Sequence, residues 1–143
     1  MELTNKTAVI TGATGQLGQA IVLALAERGL DCLCHYHTQD RIAENLVAAV
    51  EKKGRRAAAV RADLADPAAP GRIFEQARRL GRIGVLINSA SVFRRQPVDM
   101  LTHGAVSRML AINLTAPLLL CGTFANDLKQ QAASEKITDA PVG

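Results

Sequence analysis

Short apolar runs in this chain alternate with stretches in which apolar residues recur every three or four positions. Residues 7–11 form a strand-length apolar run with β-branched Val9 and Ile10, which predicts a buried first strand. Leu17, Ala20, Ile21, Ala24 and Leu25 then fall on one helical face, and the pattern stops at Arg28-Gly29, a basic residue before a glycine. Residues 30–36 predict a second strand, and Ile42, Leu46, Ala49 and Val50 a second helix stopped at Gly54. A third strand follows at 57–61. Asp66-Pro67 is expected to open a helix carrying Ile73, Phe74, Ala77 and Leu80, and residues 83–87 to form a fourth strand. A long helical stretch containing Pro117 is expected from about residue 99 to 129, with 134–143 as a connecting loop.

Strands and helices that alternate with short joins imply parallel βαβ units, hence an α/β doubly wound parallel sheet. The right-handed crossover rule sets the strand order at 3-2-1-4. Such sheets continue past the fourth strand, whereas here Ile83, Val85, Leu86 and Ile87 would form an apolar edge, a pairing hazard. The expectation is therefore one domain that stops before a fifth strand.

Composition narrows the class. A chain of 143 residues, 48% hydrophobic and 21% charged, suits one core. The net charge of +4 comes from scattered Lys and Arg, with clusters at 52–56 and 78–79 beside helix ends, where cations answer the helix dipole. Only 3% of residues are aromatic and none is Trp, which argues against a nucleic-acid groove. Cys32, Cys34 and Cys121 are odd in number, and the N-terminus runs into a strand without a secretory signal. That predicts a reduced, cytoplasmic setting. No apolar run approaches the roughly 20 residues of a membrane span, so no membrane partner is expected.

The candidate chemistry begins at Thr11-Gly12-Ala13-Thr14-Gly15-Gln16-Leu17-Gly18, between the first strand and the first helix. A sharp turn, close backbone approach to a pyrophosphate and tight helix–sheet packing each exclude a Cβ, so this spacing predicts a Rossmann-type dinucleotide cradle. Residues 1–143 are then expected to be the N-terminal part of one dinucleotide-binding domain. The adenosine ribose should lie at the end of strand 2, where His35, Tyr36, His37 and Thr38 stand and no acidic residue precedes Asp40. A carboxylate there would repel a 2′-phosphate, while His35, His37, Thr38 and Arg41 offer donors or positive charge, which favours NADP(H). Cys32, Cys34, His35 and His37 do not read as a metal site, because the Cys and His pairs point to opposite faces of a strand. Asp63-Leu64 and Asn88-Ser89-Ala90-Ser91-Val92-Phe93 end strands 3 and 4, and strand ends of this kind converge on one crevice.

With these motifs the chain resembles the N-terminal part of the short-chain dehydrogenase/reductase family, and within it the pteridine reductases. The resemblance implies a coenzyme-binding motif at Thr11, Gly12, Gly15, Gln16, Leu17 and Gly18, with Gln16 standing where the family usually has Gly. It implies an NADPH-selective strand end at His35, Tyr36, His37 and Thr38, and an adenine-side pair at Asp63 and Leu64. Asn88-Ser89-Ala90 resembles the family's Asn-Asn-Ala-Gly, with Ser89 and Ser91 as departures. Ser91 and Phe93 match a segment beside nicotinamide and substrate, where a Phe stacks on a pterin; core packing of Phe93 is an equal alternative. Asn113 matches the asparagine of the catalytic Asn-Ser-Tyr-Lys set. Pro117 lacks an N–H, so in an α-helix the Asn113 carbonyl would be free to hold a water; a plain helix kink is the alternative. The other three members are absent, since the only tyrosine, Tyr36, is followed four residues later by Asp40.

The family resemblance thus implies a reductase acting on a small carbonyl or pterin-like substrate, a homo-oligomer at full length, with the present 143 residues inactive alone. Two alternatives stay open: an extended short-chain protein such as an epimerase, and a non-catalytic NAD(P)-binding or redox-sensing module.

Overall fold

The structure, a computed structural model, describes residues 3–138. Its elements run β1 (Thr7–Thr11), α1 (Gln16–Glu27), β2 (Asp31–Tyr36), α2 (Asp40–Glu51), β3 (Ala57–Arg61), α3 (Ala69–Leu80), β4 (Ile83–Asn88), α4 (His103–Leu110) and α5 (Ala116–Thr138). A 3-10 turn at Val98–Met100 precedes α4, and a π turn at Ala111–Thr115 joins α4 to α5. The sheet is parallel in the order β3-β2-β1-β4, as the crossover argument required.

β1 is central and buried at every position, with Val9 opposite both Leu33 and Leu86. Alternation divides its side chains between two cores. Val9 and Leu33 pack with Ile73 and Phe74 of α3 and Leu120 of α5, whereas Ala8, Ile10, Cys32 and Cys34 pack with Val22, Ala26, Leu46 and Val50 of α1 and α2. Both cores hang on the same four strands. Cys32 and Cys34 are buried thiols, and desolvation pushes each up to about 12. Among the described residues no group of His, Cys, Asp and Glu is placed to hold a metal.

Several local expectations shift. Leu17 and Ala20 are exposed, and α1 meets the sheet through Gly18, Val22 and Ala26 instead. The reason is steric, because a Cβ on Gly18 would fall on the Gly12 carbonyl oxygen and 2.8 Å from Ala13 Cα. Asp66-Pro67 lies ahead of α3, where the Asp66 carboxylate accepts from Ala68 N–H at 2.9 Å and Pro70 takes the early helical position. The long helix begins at His103 and continues to Thr138, so residues 134–138 are helical; 139–143 lie outside the described residues.

The stretch His103–Glu135 is long and apolar enough, by length and composition, to cross a membrane, a property hidden by reading Pro117 as an interruption. In the fold it covers the sheet, with Ile112, Ala116 and Leu120 buried. Its far end is pinned by Asp127, which is buried and accepts from Arg78 Nε at 2.6 Å and from Gln131 Nε2 at 2.6 Å. Gln131 Nε2 also donates to the Ile83 carbonyl at 3.1 Å, tying helix to strand.

The same amino-terminal end of the sheet is pinned at β2 by Asp31, 1% exposed and level with Ile83 across Thr7. It accepts from Arg56 N–H at 2.9 Å and from the Arg56 guanidinium at 2.9 and 2.7 Å, and pairs with Arg55 at 2.9 Å. Burial alone would raise its pKa, but these donors and charges outweigh it and hold the carboxyl below its ordinary 3.8.

Three substitutions test these contacts in the native polypeptide. Asp31→Ala should lower stability by about 2 kcal/mol at neutral pH. Since the folded pKa is depressed, that contribution is present above 3.8 and disappears as pH falls through the folded value, so urea unfolding at pH 7 and pH 3 should find the gap closing in acid. Gly18→Ala should cost about 1–3 kcal/mol in urea unfolding. Gly15→Ala, whose Cβ would meet only the Gly12 oxygen at 3.4 Å, loses the N-cap preference for glycine over alanine and should cost no more than about 1 kcal/mol.

Candidate coenzyme crevice

The carboxyl ends of the four strands open into a crevice of about 450 Å³. Its floor is the turn between β1 and α1. Gly12 has φ +63, and a Cβ there would lie 2.7 Å from Ala90 Cα, so the turn and the loop after β4 touch backbone to backbone. Thr11 is buried beneath this contact, its Oγ1 accepting from Ser89 N–H at 3.2 Å and Ala90 N–H at 3.1 Å. Gly15 is the N-cap of α1 and provides no side-chain cap. The first-turn N–H groups of Gln16, Leu17 and Gly18 therefore have no intrahelical partner and face an anion-ready space. Gly12, Gly15, Gln16, Leu17 and Gly18 all line the crevice.

The end of β2 forms one wall. His35 is only 2% exposed, and both ring nitrogens are engaged: Gly12 N–H donates to Nδ1 at 3.3 Å, and Nε2 lies 3.0 Å from the Ala62 carbonyl. An N–H aimed at Nδ1 makes it the acceptor, so Nε2 carries the proton and donates to Ala62. Desolvation lowers the His35 pKa, outweighing the Ala62 bond. His35 is therefore a neutral, buried group, which corrects the expectation that it offers a ligand donor or charge. Tyr36, His37 and Thr38 line the crevice. The Tyr36 hydroxyl donates to Asp40 Oδ1 at 2.9 Å, and Arg61 lies 3.9 Å from the same oxygen. Asp40, the first carboxylate after the strand, is thus tied back.

At the end of β3, Leu64 and Asp63 line the crevice, and Asp63 meets a residue that the sequence reading missed. Arg108 of α4 reaches Asp63 Oδ2 at 3.2 Å, while His37 Nε2 stands 3.9 Å from the same oxygen. The Ala65 N–H first, and then Arg108, hold the Asp63 carboxyl below its ordinary range. Thr14, Ala62, Val92 and Ile112 also line the space. The available signal for Arg108 was its place one helical turn before Ile112, on the same face.

The loop after β4 divides two hollows. Ser89, Ala90 and Ser91 line the first, whereas Asn88 turns toward α5, its Nδ2 lying 3.5 Å from Cys121 Sγ. Phe93 lines a second hollow of about 710 Å³ with Arg94, Leu101 and Met109, and Ser91, Val92 and Arg108 border both. Phe93 is 87% exposed, which removes core packing as its role in these described residues. Asn113 lines neither hollow. Its side chain clamps Val92 at both backbone groups, accepting from the N–H at 2.8 Å and donating to the carbonyl at 2.7 Å. The helix around it is a π turn in which Ala116 N–H bonds the Ala111 carbonyl. In that register Asn113 stands five residues before Leu118, so the missing N–H of Pro117 does not by itself free its carbonyl. The geometry offers an anchored loop where the sequence suggested a held water.

Comparison with known proteins agrees with this architecture. A family model described as short chain dehydrogenase matches residues 6–137. The short-chain dehydrogenase/reductase FrzI of Cladobotryum sp is 32% identical over 140 residues, covering 97% of this chain and 51% of the relative. A short-chain dehydrogenase from Burkholderia cenocepacia J2315 in complex with NADP superposes with a TM-score of 0.84 at 33% identity, covering 88% of this chain and 52% of that one. FolM Alternative dihydrofolate reductase 1 from Brucella canis, complexed with NADP, gives 0.82 at 27% identity, with 90% and 52% covered. The chain spans about half the length of the curated relatives it matches. Glycine turn, strand order and a family match over nearly every residue agree: this chain belongs to the short-chain dehydrogenase/reductase family.

Proposed function

We propose that this chain carries the coenzyme-binding part of a cytoplasmic, NADP(H)-dependent reductase acting on a small carbonyl or pterin-like substrate. The observation that carries the reading is a phosphate-ready glycine turn facing a β2 end whose nearest carboxylate, Asp40, is held by Tyr36 and Arg61. A cradle that a Cβ would fill at Gly12 and Gly18, together with uncapped first-turn N–H groups, fits a pyrophosphate. Gly12, Gly15, Gln16, Leu17 and Gly18 would hold it, with His37 and Thr38 beside the 2′-phosphate and Asp63 and Leu64 beside the adenine. Thr11 and the largely buried His35 brace these walls, Tyr36 lines one of them, and Asn88, Ser89 and Ala90 carry the loop that closes the crevice. The NADP-bound Burkholderia and Brucella neighbours support this coenzyme.

When bound, NADPH supplies a hydride. The residues of this chain would bind, orient and exclude water, with Asn113 the member of the catalytic set that fixes the loop bearing Ser91 and Phe93. The exposed ring of Phe93 and the Brucella neighbour named as a dihydrofolate reductase support a flat, pterin-like substrate. Exposed Leu110, Leu114 and Leu118 support a homo-oligomer, and three free cysteines a reducing compartment. Tyr36 is a poor proton donor, since its hydroxyl bond to Asp40 raises its pKa.

Titration calorimetry on the native polypeptide should find NADP⁺ binding about tenfold or more tighter than NAD⁺, and His37→Asp should narrow or reverse that gap. Equal affinities in the parent would refute the coenzyme assignment. The 143 residues alone should oxidise no NADPH with carbonyl, pterin or quinonoid substrates. Stoichiometric oxidation by this purified chain, abolished by replacing Asn113, would mean that some group here donates the proton after all.

A further inference from the structure

His35 is the one buried imidazole of the described chain, and no step of the proposed reaction uses it. Its side chain joins three pieces of backbone. The ring accepts Gly12 N–H through Nδ1 and donates from Nε2 to the Ala62 carbonyl, while its own carbonyl accepts Ala13 N–H at 2.9 Å. Two successive N–H groups of the glycine turn are thus held by one residue of β2. The ring also spans from that turn to the end of β3, where Asp63 begins the adenine-side wall.

We propose that His35 is a positioning residue which, in its neutral Nε2–H form, holds the glycine turn in its coenzyme-binding shape and releases it on protonation. The inference rests on the NADP(H) reading above. Gly12 occupies left-handed backbone at φ +63, directly against Ala90, so its orientation decides whether the following first-turn N–H groups point into the crevice. Adding a proton to His35 places an Nδ1–H against the Gly12 N–H, donor facing donor, at a ring only 2% exposed.

The groups that face the ring are few. From β2 the neighbouring His37 disfavours the charge; from β3 Asp63 favours it, but Arg108 of α4 already pairs with that carboxylate. Burial is the largest influence and lowers the His35 pKa, so the neutral form dominates near neutral pH and the clasp weakens only below the ordinary imidazole range. The sign follows from linkage. A histidine with a depressed folded pKa contributes fully above its ordinary value of 6.5 and loses that contribution as pH falls through the folded pKa.

Asparagine is the discriminating replacement, because its side-chain oxygen sits as many bonds from Cα as Nδ1 and accepts a hydrogen bond without titrating. NADP⁺, which survives acid, is the probe, and affinities are measured from pH 7.5 to pH 5 on native, His35→Asn and His35→Phe polypeptides at full natural length. At pH 7.5 His35→Phe should weaken binding about tenfold and His35→Asn should recover most of that loss. Between pH 7.5 and 5 the native affinity should fall about threefold or more beyond that of His35→Asn; every other group is the same in both polypeptides, so only the difference belongs to His35.

An independent arm needs no coenzyme. Imidazole ¹⁵N shifts should report the Nε2–H tautomer at pH 7.5, and Gly12 amide exchange should accelerate in step with His35 protonation. Parallel pH profiles for native and His35→Asn, an Nδ1–H tautomer, or a Gly12 amide indifferent to the His35 titration would each overturn the proposal. If no form binds NADP⁺ the coenzyme assignment fails instead, and the tautomer and exchange data still decide the role of His35.

Discussion

Everything in this fold is arranged around a place where no side chain fits. The β1–α1 turn meets the loop after β4 at Gly12 and meets α1 at Gly18, and in both contacts a Cβ would collide with backbone, which cannot swing aside. Helix α1 can then lie close enough for Val22 and Ala26 to reach the core beneath β1 and β2. The same closeness brings the α1 N-terminus to the crevice. One steric requirement thus fixes the packing of a helix, the path of a distant loop and the direction of a set of free N–H groups.

Around that contact the polar groups divide by burial. Thr11 and His35 are hidden and spend their capacity on backbone N–H groups of neighbouring loops. His37, Thr38 and Asp63 stand at the crevice surface. A buried group that holds loops is unavailable to a ligand, and an exposed one is poorly placed to hold a loop. The distinction between His35 and His37, two residues apart on one strand end, is a small instance of this rule.

Much of the sheet was legible because apolar runs such as 7–11 and 83–87 have only one comfortable use at that length, and the crossover rule orders parallel strands. The glycine spacing and the strand ends located the crevice. What escaped was set by contacts between distant segments. The face of α1 was misplaced because hydrophobicity points to Leu17, whereas the sheet touches Gly18, a residue without a side chain to count. Helical spacing puts Arg108 on the face of Ile112, but its pairing with Asp63 and the clamp on Val92 depend on how α4 and the turn after it cross the strand ends. The tautomer of His35 is set by Gly12 and Ala62, 23 and 27 residues away. Pro117 was read in an α register, whereas the turn before it is a π turn in which Ala116 N–H bonds the Ala111 carbonyl.

The helix that borders the crevice is fastened a long way from it, where Asp127 meets Arg78 and Gln131 meets the Ile83 carbonyl. Fourteen residues separate Asp127 from Asn113, about 20 Å of helix. The helix is in effect a lever with its fulcrum at the bottom of the sheet. A tilt of about 5° there displaces Asn113 by nearly 2 Å at about 20 Å of arm, more than a short hydrogen bond to Val92 tolerates. Alignment at the mouth of the crevice consequently draws on an ion pair at the opposite end of the molecule as well as on the buried Ile112, Ala116 and Leu120 between them.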